Sequence, residues 1–95
     1  MKMILMMADA ARVDAIRGDL HGLGASGYTA FPVIEGAGRT GRHAGDRVHP
    51  GALVALMIVE PEERVDGLFD ELVRRRDAAG DRVTKLFLVP VERQA

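Results

Sequence analysis

The 95-residue chain has no cysteine and no tryptophan, and its only serine is Ser26. Without cysteine there can be no disulfide, thiolate zinc site or cysteine nucleophile, which fits a reducing compartment; we expect a cytoplasmic protein. The single serine reads as part of a turn, and no nucleophile sits near a base, so we do not expect an enzyme. Aromatics are scarce, one tyrosine and three phenylalanines. A sheet that binds single-stranded RNA exposes stacking aromatics on its middle strands, and here only Tyr28, Phe31 and Phe87 fall on strand-like segments. Excess charge is also missing: the net charge is -1 and the pI near 6.3, which excludes a general nucleic-acid binder. The apolar stretch Ala52 to Val59 is far shorter than the roughly 18 residues a membrane helix needs. At the start, Lys2 and Ala8-Asp9-Ala10 mimic a signal peptide, but Met3 to Ala8 falls short of the usual apolar run of about 7 to 15 residues.

The chain is rich instead in glycine, and five of its 11 glycines lie in Glu35–Gly51, EGAGRTGRHAGDRVHPG. Val48 is the one sizeable apolar side chain there, while Arg39, Arg42 and Arg47 make the stretch cationic. Such a segment cannot be packed into a core and reads as a flexible basic loop. Connections longer than about 12 to 15 residues are usually functional or disordered in compact domains, so function is expected here or at the roots of the segment.

Around it the pattern is that of one scaffold domain, residues 1–95. Met1 to Ala8 is a short apolar run that reads as a strand, and Asp9 can cap a helix on which Val13, Ile16, Leu20 and Leu23 share a face, ended by Gly24. Tyr28 to Ile34 reads as a second strand, at an edge or bulged because Pro32 cannot donate to a ladder. ALVALMIV, residues 52 to 59, is apolar at every position, as in a strand buried on both faces. Glu60, Pro61, Glu62 and Glu63 suit the start of a second helix, whose stripe is Val65, Leu68, Phe69, Leu72 and Val73 and whose end carries Arg74, Arg75 and Arg76. Asp77 to Arg82 is a loop around Gly80, and Val83 to Val89 the last strand. The order βαββαβ with right-handed crossovers gives an α+β ferredoxin-like sandwich: an antiparallel four-stranded sheet with two helices on one face. Two helices cover only one face of a sheet whose central strands are apolar on both, so a compact homo-oligomer is expected.

Several short patterns carry possible chemistry. Gly36-Ala37-Gly38-Arg39-Thr40-Gly41 has G-x-G-x-x-G spacing after a strand, but nothing after it has helical periodicity, so it does not suit a dinucleotide fold. Glycines there would let backbone N–H groups approach an anion, with Arg39 adding a charge-assisted bond, or would simply leave the loop flexible. His43, Asp46 and His49 could offer two imidazoles and a carboxylate to a metal, although exposed polar residues are the plainer reading. Similarly, Arg74 to Arg76 could grip a phosphate or form a solvated helix end.

Gly27-Tyr28-Thr29, followed by Val33 and Gly36-Ala37-Gly38-Arg39, resembles the strand and loop-base signature of the PII nitrogen-regulatory family. Lys85-Leu86-Phe87-Leu88-Val89-Pro90-Val91-Glu92 is similar to that family's last strand. The resemblance spans the chain and implies a homotrimer with sheets facing inward, a long loop that touches a target protein, and adenine-nucleotide sites between subunits. Carried over by position, Gly27, Thr29, Gly36, Ala37, Gly38 and Arg39 would border the nucleotide, with Val59 near the base and Lys85 near the phosphates. Thr40, Arg42, His43, Asp46, Arg47 and His49 would lie on the partner-binding loop. The resemblance implies no obligatory cofactor, only a nucleotide (ATP, ADP or AMP) as effector. Thr40 replaces the family's glutamine, the loop has no tyrosine to be uridylylated, and the loop before the last strand keeps only Gly80 where relatives have several glycines. Two alternatives stay open: a trimer resembling the copper-tolerance CutA proteins, in which His43 and His49 would matter, and an assembly module without a ligand.

Overall fold

The computed structural model describes residues 1–39, 44–48 and 52–95, with backbone alone for 38–39 and 44–48. The first apolar run forms β1 (Lys2–Asp9). Asp9 then caps as its short carboxylate permits, Oδ1 accepting from the Ala11 N–H at 3.0 Å, but what it caps is a single 3-10 turn, Ala10–Arg12. From there α1 (Val13–Gly22) continues. Gly24, at φ +73°, closes it: its N–H reaches the His21 carbonyl and that of Ala25 the Leu20 carbonyl. That pairing needs a left-handed residue, which glycine supplies without a Cβ clash. β2 (Thr29–Pro32) is shorter than the sequence suggests and starts after Tyr28. β5 (Leu53–Glu60) runs one residue further than expected, so Glu60 belongs to a strand rather than to the helix start. α2 (Glu62–Ala78) and β6 (Lys85–Pro90) complete the sandwich.

The four-stranded sheet has the order β2-β5-β1-β6, antiparallel at every junction. This is the ferredoxin-like topology, and β2, with Pro32, lies at an edge as its missing N–H requires. Alternation along the strands sends Ile4, Met6, Ala8, Leu56 and Ile58 to one face, where they pack with Val13, Ile16 and Leu20 of α1 and Val65, Leu68 and Leu72 of α2. Phe69 packs against this core half-buried, and Val73 is likewise only partly covered.

The other face carries no helix. Met3, Leu5, Met7, Met57 and Val59 lie half-buried on it, and Phe31 and Phe87 are 43% and 47% exposed. In register, Thr29, Met57, Leu5 and Phe87 form one row across all four strands, and Phe31, Ala55, Met7 and Lys85 another.

The glycine-rich segment departs from expectation. It contains β3 (Gly36–Arg39) and β4 (Ala44–Val48), paired antiparallel with a register shift between Ala37 and Arg39. Backbone pairing needs no apolar side chains, so a sequence that cannot enter a core still forms a two-stranded ribbon.

Candidate functional site

The described site residues expected from sequence are spread over the uncovered face, Thr29 on the β2 edge, Val59 on β5 and Lys85 on the opposite β6 edge. Thr29 opens β2 opposite Met57, Val59 of β5 lies opposite Met3, and Gly27 precedes β2. Across the sheet, Lys85 opens β6 opposite Met7. Gly36 and Ala37 follow β2, whose last ladder bond runs from the Val33 N–H to the Leu53 carbonyl, and so leave the same end of the sheet as Lys85 but beyond its opposite edge. Strand rise and spacing separate Lys85 from Thr29 and Val59 by roughly 15 Å. Between them lie Met7, Leu5, Met57 and Phe87, which offer no polar atom to a ribose or phosphate. Within one chain these candidate residues are therefore not brought together. A groove on the helical side, lined by Leu23, Arg64, Gly67, Leu68 and Glu71, contains none of these residues.

The turn before Gly27 is held from beneath by two residues that the sequence did not assign to a site. Glu60, 1% exposed, accepts the Ser26 N–H on Oε1 at 2.6 Å, while its buried Oε2 has no partner among the described residues. Arg64 donates from Nη2 to the Gly24 carbonyl at 2.7 Å. Together they fix the turn that leads into Gly27 and Thr29. The phase of β5 held the clue: counting by two from Leu56 and Ile58 puts Glu60 on the buried face.

Lys85 follows the turn after α2. Gly80, at φ +68°, ends the helix, its N–H meeting the Asp77 carbonyl and that of Asp81 the Arg76 carbonyl. Asp81 then turns its carboxylate inward, its side chain 3% exposed. Oδ1 accepts the Val83 N–H at 2.9 Å and the Thr84 N–H at 3.0 Å, and Oδ2 accepts the Thr84 hydroxyl and Arg12 Nε at 3.4 Å. Burial pushes the Asp81 carboxyl up, but the bonds from the Thr84 hydroxyl, the Thr84 and Val83 N–H groups and Arg12 outweigh it and hold it below the ordinary aspartate range. Lys85, next in the chain, is exposed.

The arginine triplet at the end of α2, read from sequence as a phosphate grip or a solvated helix end, is paired with acids. Arg74 bonds to Glu71, Arg75 to Asp19 at 2.9 Å and to Glu71, and Arg76 to Asp77. Bonds to Arg74 and Arg75 lower the Glu71 carboxyl, and those from Asp19 and Glu71 raise Arg75. His21 is exposed on α1.

The family profile described as nitrogen regulatory protein P-II matches residues 1–95, the full length of the chain. The chain belongs to the nitrogen regulatory protein P-II family. No individual curated protein matches it significantly. Of the candidate residues in this P-II protein, Gly27, Thr29, Gly36, Ala37, Val59 and Lys85 all stand within the described backbone. Gly38, Arg39, Asp46 and Arg47 lie on the ribbon strands, with no side chain described, while Thr40, Arg42, His43 and His49 lie outside the described residues. Among the described residues no cluster of histidines and carboxylates could hold a metal ion, and no helix is long and apolar enough to cross a membrane.

Proposed function

We propose that this P-II protein is a cytoplasmic signalling protein that binds an adenine nucleotide at clefts between the subunits of a homotrimer and passes the bound state to a target protein through residues 36–51. It would act by binding rather than by catalysis. The supporting observation is the division of the site. Thr29 stands on the β2 edge of an apolar face and Lys85 on the β6 edge, roughly 15 Å apart, so a nucleotide would contact both sets of residues where two chains meet. The face itself gives the chains a reason to meet. Its half-covered methionines, leucine and valine, with Phe31 and Phe87 at the two edges, gain about 25 cal/mol for each Å² of apolar surface removed from water.

In this reading the base lies against Val59 and the Gly27–Thr29 backbone of one subunit, and the phosphates against the β3 backbone, Arg39 and Lys85 of the next. Holding the phosphates orders the foot of the β3–β4 ribbon. Thr40, Arg42, His43, Asp46, Arg47 and His49 would then present a different surface to the target. The ligand shifts that balance only by its difference in affinity for the two states of the segment. Ordering costs about 1 to 2 kcal/mol per residue, so only the foot need become rigid.

Thermal unfolding with and without ATP, ADP and AMP tests the proposal, because a ligand that binds only the folded state raises the melting temperature. Adenine nucleotides are expected to raise it, and Lys85→Ala to reduce the rise while leaving the assembled mass unchanged. A rise with divalent metals and none with nucleotides would contradict the reading.

A further inference from the structure

The turn beside Lys85 carries its own anion. Two consecutive backbone N–H groups, a hydroxyl and a guanidinium converge on Asp81, the donor set that elsewhere cradles a phosphate. Here they point into the fold. Thr84, which gives two of the donors, is 3% exposed, and the Asp9 N–H bonds to the same Thr84 hydroxyl at 3.4 Å. A phosphate arriving at Lys85 from the open face finds these donors facing away and already satisfied. What the turn still offers are the exposed side chains of Arg82 and Lys85.

Long exposed cations attract phosphates weakly, since they give up side-chain freedom and are screened by salt, whereas a fixed set of N–H groups gives up nothing further on binding. The strength with which a second and third phosphate are held thus rises if the turn adds backbone donors to those of β3. Building on the nucleotide reading above, we propose that Asp81 is a specificity-determining residue: by occupying the donors beside Lys85 it leaves the second and third phosphates only the β3 backbone, Arg39 and the exposed Arg82 and Lys85 side chains, so that they add little to recognition of the base, the sugar and the first phosphate. The chain then takes a nucleoside monophosphate nearly as well as the triphosphate.

Isothermal titration of the full chain with AMP, ADP and ATP in one buffer tests this. The expected result is three dissociation constants within tenfold of each other. ATP binding more than tenfold tighter than AMP overturns the inference and leaves the nucleotide reading standing, whereas no binding by any of the three overturns both. A second arm uses Asp81→Ala, checked for folding by circular dichroism. With the carboxylate gone, the N–H of Val83, a residue 48% exposed, is free to turn outward, and the preference for ATP over AMP should widen. If the variant is folded and its ratio matches that of the parent chain, Asp81 is not the cause.

Discussion

Asp81→Ala should be among the most destabilising single changes in the chain. The Asp81 carboxylate is the acceptor for the N–H groups of Val83 and Thr84, the Thr84 hydroxyl and Arg12. Val83 is 48% exposed, so its N–H can turn to water. Thr84, at 3%, cannot, and its N–H and hydroxyl are left without an acceptor. A buried donor stranded in this way costs about 1–3 kcal/mol. Two of them, eased by some relaxation of the turn, give an expected loss of about 2–4 kcal/mol. Against a total stability of roughly 5–15 kcal/mol this is a large fraction, and for a domain of this size it lowers the melting temperature by roughly 10–25 °C. Urea unfolding followed by circular dichroism at neutral pH measures it. The pH dependence supplies an independent check. Because the folded-state carboxyl titrates below its unfolded value, its stabilisation is fully present above the unfolded value of roughly 4 and is lost as pH falls through the folded one. The gap between the parent chain and Asp81→Ala should therefore stay constant from neutral pH to about 5 and shrink below about 4. A loss under about 0.5 kcal/mol, the size of an ordinary surface substitution, would refute the reasoning.

Two other substitutions probe the rest of the structure. Phe87→Asp places a charge at the edge of the uncovered face and should shift the protein from an assembly to single chains, read as mass by light scattering; an unchanged mass would place the contact elsewhere. Glu60→Ala removes the acceptor of the Ser26 N–H and should cost about 1–3 kcal/mol in urea unfolding, with weaker nucleotide binding because the turn before Gly27 loosens; unaltered stability would mean the buried carboxylate holds nothing.

Most of the fold was legible because its signals are local. The phase of Val13, Ile16 and Leu20 announces α1, Pro32 marks an edge strand, and ALVALMIV marks an inner one. Gly24 and Gly80 end the helices, as their positive φ allows. Thr29, Val59 and Lys85 were candidates only through motif resemblance, since they carry no chemical pattern of their own. Reading Glu60 as a helix-start acid failed because sequence adjacency to Pro61 and Glu62 hid its position in the β5 alternation. The β3–β4 ribbon was missed because backbone pairing leaves no hydrophobic period. Asp81 was passed over as a loop residue, although an aspartate two and three residues before Val83 and Thr84 has the spacing of a side chain that closes its own turn.

Native mass spectrometry at low micromolar concentration, with AMP or ATP added, reads assembly and ligand binding together. The predicted species has three times the 10.3 kDa chain mass and carries nucleotide. A single chain that binds nucleotide unaided, or an assembly that takes up none, would contradict a site completed only where two chains meet.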